Sequence, residues 1–284
     1  MAPRSTVSDY SDIEYVFEPH SATVPDIREY LKALWERRQF MQELARADLR
    51  SARSGKALGN LWSVLNPLFQ AGIYYFLYTV LRSGASQHDF LPILIANFFF
   101  FGLSMSALND GGSSIKRGKG LMLNSTFPRA LLPVTSVYKS LRSFVAAACV
   151  LALLFPLVGG RPGAGLFVLP LLFALQVVMN VGIALLVSTY VVLVPDGNNV
   201  IQWVNRLLFF ATPVIYPVAL LPPAAEVVLQ FQPLFPVFAA YQEILGGYMP
   251  SPGLVAVSAL WAGGLLFVGA RIFLKHEREF ALHL

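Results

Sequence analysis

The sequence predicts an all-α membrane protein with six transmembrane helices, and three observations carry that prediction. From Ser143 to Ala270 the chain runs 128 residues with five charged side chains, Arg161, Asp196, Arg206, Glu226 and Glu243, while residues 57–81 and 90–109 carry none. A surface facing water needs charge, so lipid is the solvent of these segments. The apolar runs are continuous and show no ten-residue alternation, which excludes a β-barrel. Lysine and arginine, finally, are shared very unevenly among the intervening loops.

Cutting the chain at charges and at Gly, Pro and Asn gives spans at roughly 61–82, 90–112, 138–159, 165–194, 198–220 and 252–273. Each is near the ~20 apolar residues that a crossing requires. The fourth is long, and Pro170 near its start predicts a tilt or a kink. Two parts follow: residues 1–56, a cytoplasmic tail with an amphipathic interfacial helix, and residues 57–284, the transmembrane domain.

Orientation follows from the positive residues. Residues 1–60 hold nine: Arg4, Arg28, Lys32, Arg37, Arg38, Arg46, Arg50, Arg53 and Lys56. Between the second and third spans lie Lys116, Arg117, Lys119, Arg129, Lys139 and Arg142, and the C-terminal tail adds Arg271, Lys275 and Arg278. The opposite side has Arg82 and Arg161 alone. Both termini are therefore expected in the cytoplasm. The net charge of +5 reads as topology, and a nucleic-acid partner is unnecessary to explain it. The single cysteine, Cys149, lies inside an apolar run and reports no redox compartment. No cleavable signal peptide is visible in the polar first 60 residues.

Residues 1–22 are acidic and irregular and read as a flexible tail. At Thr23-Val24-Pro25 a helix start is signalled, with Asp26 and Glu29 near its positive end. Ile27, Leu31, Leu34, Met41 and Leu44 then recur at helical spacing, beside Trp35 and Phe40 and opposite Arg28, Lys32, Glu36, Arg37, Arg38 and Glu43. Such a helix suits the cytoplasmic membrane surface, the alternative being packing against a soluble partner.

Between the fifth and sixth spans Pro213, Pro217, Pro222, Pro223, Pro233, Pro236, Pro250 and Pro252 bound the apolar pieces 224–231 and 237–246, both too short to cross. These read as re-entrant outer helices, because interrupted backbone at membrane depth needs protein or a wet path beside it. Two helices lying on the outer leaflet are the alternative.

Enzyme signatures are missing: HExxH, a Cys/His metal cluster, GxSxG and paired intramembrane carboxylates. His20, His88, His276 and His283 fall in tails or a loop. Gly55-Lys56 and Gly118-Lys119 lack the GxxxxGK[ST] frame, so no P-loop is expected. The fifth span carries a polar stripe instead: Asn198, Gln202, Asn205 with Arg206, Thr212 and Tyr216, with Phe209 between. An intramembrane Arg costs about 2.5–3.5 kcal/mol on insertion scales and faces a partner or water. The stripe is read as lining a translocation route, the rival being helix–helix packing or a pair with Glu243. Tyr74, Tyr75, Phe76 and Tyr78 in the first span and Phe98 to Phe101 in the second suit either sugar stacking or an interfacial belt.

Five segments occur in order: RADLRSARSGKALGNLWSVLNP (46–67), FPRALLPV (127–134), PVIY (213–216), PLFPVFAAYQEILGG (233–247) and FLKHEREFA in the tail. Together, over residues 25–280, they resemble the membrane subunit of type-2 ABC exporters. The likeness is greatest to the Wzm-like permeases that export lipid-linked polysaccharides such as O-antigen, teichoic acid and galactan. Two departures are Pro195 before Asp196 and Gln242 in the outer helix, where such permeases often carry Arg.

The resemblance implies a homodimer in the bacterial inner membrane, with two copies of a separate ABC ATPase that binds ATP and magnesium. No cofactor or covalent chemistry is expected of this chain itself. It further implies that the cytoplasmic loop Ser113–Pro128 couples to the ATPase through Lys116, Arg117, Lys119, Leu121 and Met122; anchoring of topology is the other use of these basic residues. On the transport side the route would use Asn198, Gln202, Asn205, Arg206, Tyr216, Tyr74 and Tyr78. Alternatives are a type-2 exporter of a drug or antibiotic, and an intramembrane enzyme of lipid-linked glycan assembly.

Overall fold

The computed structural model describes residues 27–53, 59–81, 90–124, 127–160 and 163–283. The acidic tail, the Thr23–Pro25 helix start, Gly55-Lys56, Arg82, His88 and Arg161 lie outside them. The described residues form helices and turns with no strand. In chain order the helices are α1 (Ile27–Glu36), α2 (Arg38–Arg53), α3 (Trp62–Leu81), α4 (Leu91–Ser106), α5 (Ser114–Arg117), α6 (Lys119–Asn124), α7 (Leu131–Leu157), α8 (Leu169–Leu193), α9 (Gly197–Ala211), α10 (Pro223–Leu229), α11 (Leu234–Leu245) and α12 (Pro252–His276).

Among the described residues, four segments are long and apolar enough to cross a bilayer: Leu91–Gly111, Leu131–Leu157, Leu169–Leu193 and Pro252–His276. Two boundaries differ from expectation. α7 begins at Leu131 and not near 138, because Pro133 sits in its first turn, where a missing N–H costs no bond. α9 stops at Ala211 and does not run to 220. Thr212 precedes a proline and is extended, at φ −92° and ψ 137°. The chain then turns through 212–217 before a 3₁₀ turn, Val218–Leu220. Pro170, expected to tilt or kink the fourth span, lies in the first turn of α8, just after the 3₁₀ turn Ala164–Phe167.

The most extensive pairing is α8 with α12. It depends on two glycines that face each other: a Cβ on Gly269 would land on the Gly182 carbonyl, and one on Gly182 would land on the Leu265 backbone. Small residues let helix backbones approach closely where lipid supplies no hydrophobic drive. On the other side α4 packs against α7 and α3.

α11 is wedged among α4, α8 and α12, with Leu234, Phe235, Val237, Phe238, Tyr241 and Ile244 fully buried. α10 and the turn after it, by contrast, keep Val227, Val228 and Phe231 exposed. The buried polar groups at α11 are bonded: Tyr241 donates to Gln176 Oε1 at 2.9 Å, and Gln176 donates to the Phe100 carbonyl at 2.8 Å and Ser104 Oγ at 2.9 Å. Phe98 to Phe101 belong to this core and not to a belt. All four are buried, Phe100 stacking on Tyr241 with centroids 4.3 Å apart.

The amphipathic N-terminal segment is two helices broken at Arg37, and its apolar residues divide between two surroundings. Tyr30, Leu34 and Leu44 pack on Ile115, Met122, Phe273 and Phe280 at one end of the bundle. Leu31 and Trp35 stay exposed, Trp35 at 70%. Tyr30 is also bonded: its hydroxyl reaches both Glu277 carboxylate oxygens at 3.0 Å and accepts from the Ala130 N–H at 3.3 Å. Glu277 accepts from the Arg129 N–H at 2.7 Å, and the Arg129 guanidinium donates to the Glu277 carbonyl. One knot thus joins α1, the start of α7 and the end of α12.

Candidate functional site

α9 turns one face to the core through Ile201, Val204, Leu208 and Phe209. The adjoining face, where Gln202, Asn205 and Arg206 sit one turn apart, lines a cavity of about 510 Å³. α3 contributes Gln70 and Tyr74 to the opposite wall, and the end of α4 with the π-turn Ala107–Gly111 contributes Met105 and Asn109. Phe209 forms an aromatic wall with Tyr74 at 5.4 Å and Phe101 at 5.6 Å.

Within this cavity Asn205 Nδ2 donates to Asn109 Oδ1 at 2.7 Å, and Asn109 Nδ2 donates to the Met105 carbonyl at 2.9 Å. Asn205 Oδ1 is buried without a partner among the described residues. Arg206 lies over the Trp203 ring, 4.9 Å from its centroid, and no carboxylate among the described residues pairs with it. Glu243, the expected rival partner, instead accepts from the Ser251 N–H at 2.6 Å, just before α12. The cavity therefore offers one exposed guanidinium, amide groups and aromatic faces, a set that suits anionic and hydroxyl-rich groups.

Of the residues expected on the route, the structure brings together Tyr74, Gln202, Asn205 and Arg206. Asn198 is exposed at the start of α9, outside this lining. Tyr216 lies past the helix end and donates to the Phe210 carbonyl at 3.1 Å. The Tyr78 side chain is outside the described residues. Sequence reasoning missed Gln70 and Asn109, the polar residues of α3 and the α4 end that complete the cavity. The signal for Asn109 was the run Asn109-Asp110-Gly111-Gly112-Ser113-Ser114 closing an apolar helix.

The expected coupling loop is largely helical, made of α5 and α6. Lys119 is exposed and Lys116 half-buried. Arg117 folds back, donating to the Asp110 carbonyl at 2.6 Å and lying 3.6 Å from Asp110 Oδ1. Leu121 and Met122 pack on the cluster around Ile115 and Phe273. Asp110 takes a second cation, Lys139 of α7, at 2.9 Å.

Residues 38–246 match the profile of the ABC-2 type transporter family. The chain belongs to that family. The ABC-2 match spans α2 through α11, and so contains both the cavity and the helices α5 and α6. The chain is also similar to an O-antigen export system permease protein, RfbA, of Myxococcus xanthus, with 26% identity over 264 residues covering 88% of this chain and 97% of that protein. A protein of the same name from Klebsiella pneumoniae is 24% identical over 235 residues, covering 82% of this chain and 90% of its own length. As an ABC-2 protein with several apolar crossing helices, the chain is a multi-pass membrane subunit of a transporter.

Proposed function

We propose that this chain is the permease subunit of an ATP-driven exporter that moves a lipid-linked polysaccharide outward across a bacterial inner membrane. The observation that carries the reading is the cavity beside α9, where Arg206, with no carboxylate partner among the described residues, faces amides and aromatic rings. An anionic phosphate linkage suits the guanidinium fork, and sugars suit the amides and ring faces. The RfbA similarity supports a glycan cargo. A drug exporter would have less use for the amide lining.

In this reading α3 and α9 join the four long helices to make six spans, and α10 and α11 form the re-entrant outer pair. Both termini are cytoplasmic, with residues 1–56 as a cytoplasmic tail and amphipathic interfacial helix. The chain acts as a homodimer with two ATPase subunits, which bind ATP and magnesium and contact α5 and α6. Residues Asn198, Tyr216 and Tyr78 extend the route beyond the cavity.

Arg206→Leu removes the charge and also an insertion cost, so the protein should accumulate normally while surface glycan per inserted protein falls at least tenfold. Arg206→Lys keeps charge without the fork and should be partly active. An Arg206→Leu protein that exports normally would overturn the reading of the cavity.

A further inference from the structure

The π-turn Ala107–Gly111 stands between the cavity and the cytoplasmic helices, and its geometry has a use. A π-turn adds one residue to the helix and draws carbonyls off the regular ladder. Four carbonyls here each take a side-chain donor: Met105 from Asn109 at 2.9 Å, Asn109 from Ser113 at 2.8 Å, Asp110 from Arg117 at 2.6 Å and Gly111 from Ser114 at 2.6 Å. Its far end is pressed against α8. A Cβ on Gly111 would come 2.7 Å from the Ala184 Cβ, and one on Gly112 would come 2.9 Å from Val187 Cγ1.

Consecutive residues of this turn serve different neighbours. Asn109 accepts from Asn205 in the cavity wall at 2.7 Å. Asp110 binds Lys139 of α7 at 2.9 Å and Arg117 of α5 through both its carboxylate and its carbonyl. The Lys139 side chain is 12% exposed and that of Asp110 36%, so the pair is screened on the lysine side and open to solvent on the carboxylate side. Arg117 thus links α5 to the Asp110 backbone, one residue from Asn109.

We propose that Asp110 is a positioning residue for translocation, which ties the place of α5 to the Asn109–Asn205 bond through the π-turn. The inference rests on the reading of α5 and α6 as the ATPase contact. When α5 moves, Arg117 leaves both the Asp110 carboxylate and its carbonyl, and the turn relaxes to α-helical register. Loss of one inserted residue rotates Asn109 by roughly 100° about the helix axis, away from Asn205. The opposite end, fixed by Gly111 and Gly112 on α8, confines the rotation to the cavity side.

The test is a cysteine pair, Asn109→Cys with Asn205→Cys in a Cys149→Ser background, in the complex with its ATPase in lipid. Oxidative cross-linking should be efficient without nucleotide and fall at least fivefold after trapping with ATP and vanadate. Adding Asp110→Asn should make the two yields equal, while Asp110→Glu should keep the difference. A merely structural Asp110 would change protein amount and leave the nucleotide dependence in place. Equal yields in the parent pair, no cross-link in either state, or a persisting difference in Asp110→Asn would each overturn the proposal. Failure of the wider reading shows separately: if the ATPase does not co-purify, α5 and α6 are not its contact, and the inference falls with them. If cross-linking responds to nucleotide but no glycan is exported, the cargo is wrong and the role of Asp110 stands.

Discussion

Gln242 Nε2 donates to the Pro213 carbonyl at 2.7 Å and thereby fastens α11 to the point where α9 ends. The same amide reaches the Tyr216 carbonyl at 2.9 Å, and its Oε1 accepts the Val218 N–H at 2.9 Å. Asn97 adds bonds to the Pro213 and Val214 carbonyls at 3.1 and 3.3 Å. The backbone released by Pro213 and Pro217 is thus satisfied by two side chains from other helices, which is the condition for irregular chain in an apolar setting.

Gln242→Leu should be destabilising by about 2–3 kcal/mol, since it leaves the Tyr216 carbonyl and the Val218 N–H without this partner. A lower melting temperature in detergent, with α9 intact by hydrogen exchange and segment 212–218 exchanging faster, is the expected result. An unchanged melting temperature would mean that water replaces the amide there.

Gly269→Ala should lower the melting temperature, because the new methyl meets the Gly182 carbonyl and pushes α12 off α8. Gly263→Ala is the control on the same helix. Its Cβ meets nothing within 4 Å, so it should be neutral or stabilising by up to about 1 kcal/mol through helix propensity. Equal effects at both positions would contradict the close crossing.

Tyr30→Phe should loosen α1 by about 1–2 kcal/mol, seen as roughly tenfold faster hydrogen exchange over 27–36. Burial raises the Glu277 carboxyl above its ordinary value of 4.5, against the lowering by the Arg129 N–H, the Tyr30 hydroxyl and the Arg129 charge. The folded group therefore keeps its proton longer than the unfolded one. The contribution is complete below pH 4.5 and is lost as pH rises through the raised value. Exchange over 27–36, corrected for the intrinsic rate, should accelerate across that window in the parent and not in Glu277→Gln.

Orientation is checked by single cysteines in the Cys149→Ser background. Tyr248 at 71% and Leu282 at 84% are accessible in the fold. An impermeant maleimide applied to intact cells should label Tyr248→Cys and leave Leu282→Cys unlabelled until the membrane is opened. The reverse pattern would invert the topology.

Residue type and spacing alone determined much about this protein. A near absence of charge over long runs fixes a helical membrane architecture, since hydrocarbon tolerates neither exposed charge nor unpaired backbone. The polar stripe on α9 marked Gln202, Asn205 and Arg206, because polar groups in a span need a reason to be there. Where helices end was less legible. The stop at Ala211 depends on Pro213, a local signal, but also on Gln242 and Asn97, which reach it from remote parts of the chain. The aromatic run Phe98 to Phe101 could have faced lipid or sugar, and only packing against Tyr241 and Phe209 made it core. Arg117 read as one of several loop cations, and only the π-turn set Asp110 between it and Lys139. Periodicity reports which face of a helix is apolar, but which helix meets that face is decided by long-range contacts that no local pattern encodes. For that reason the tertiary structure alone assembled α3, α4 and α9 into one cavity.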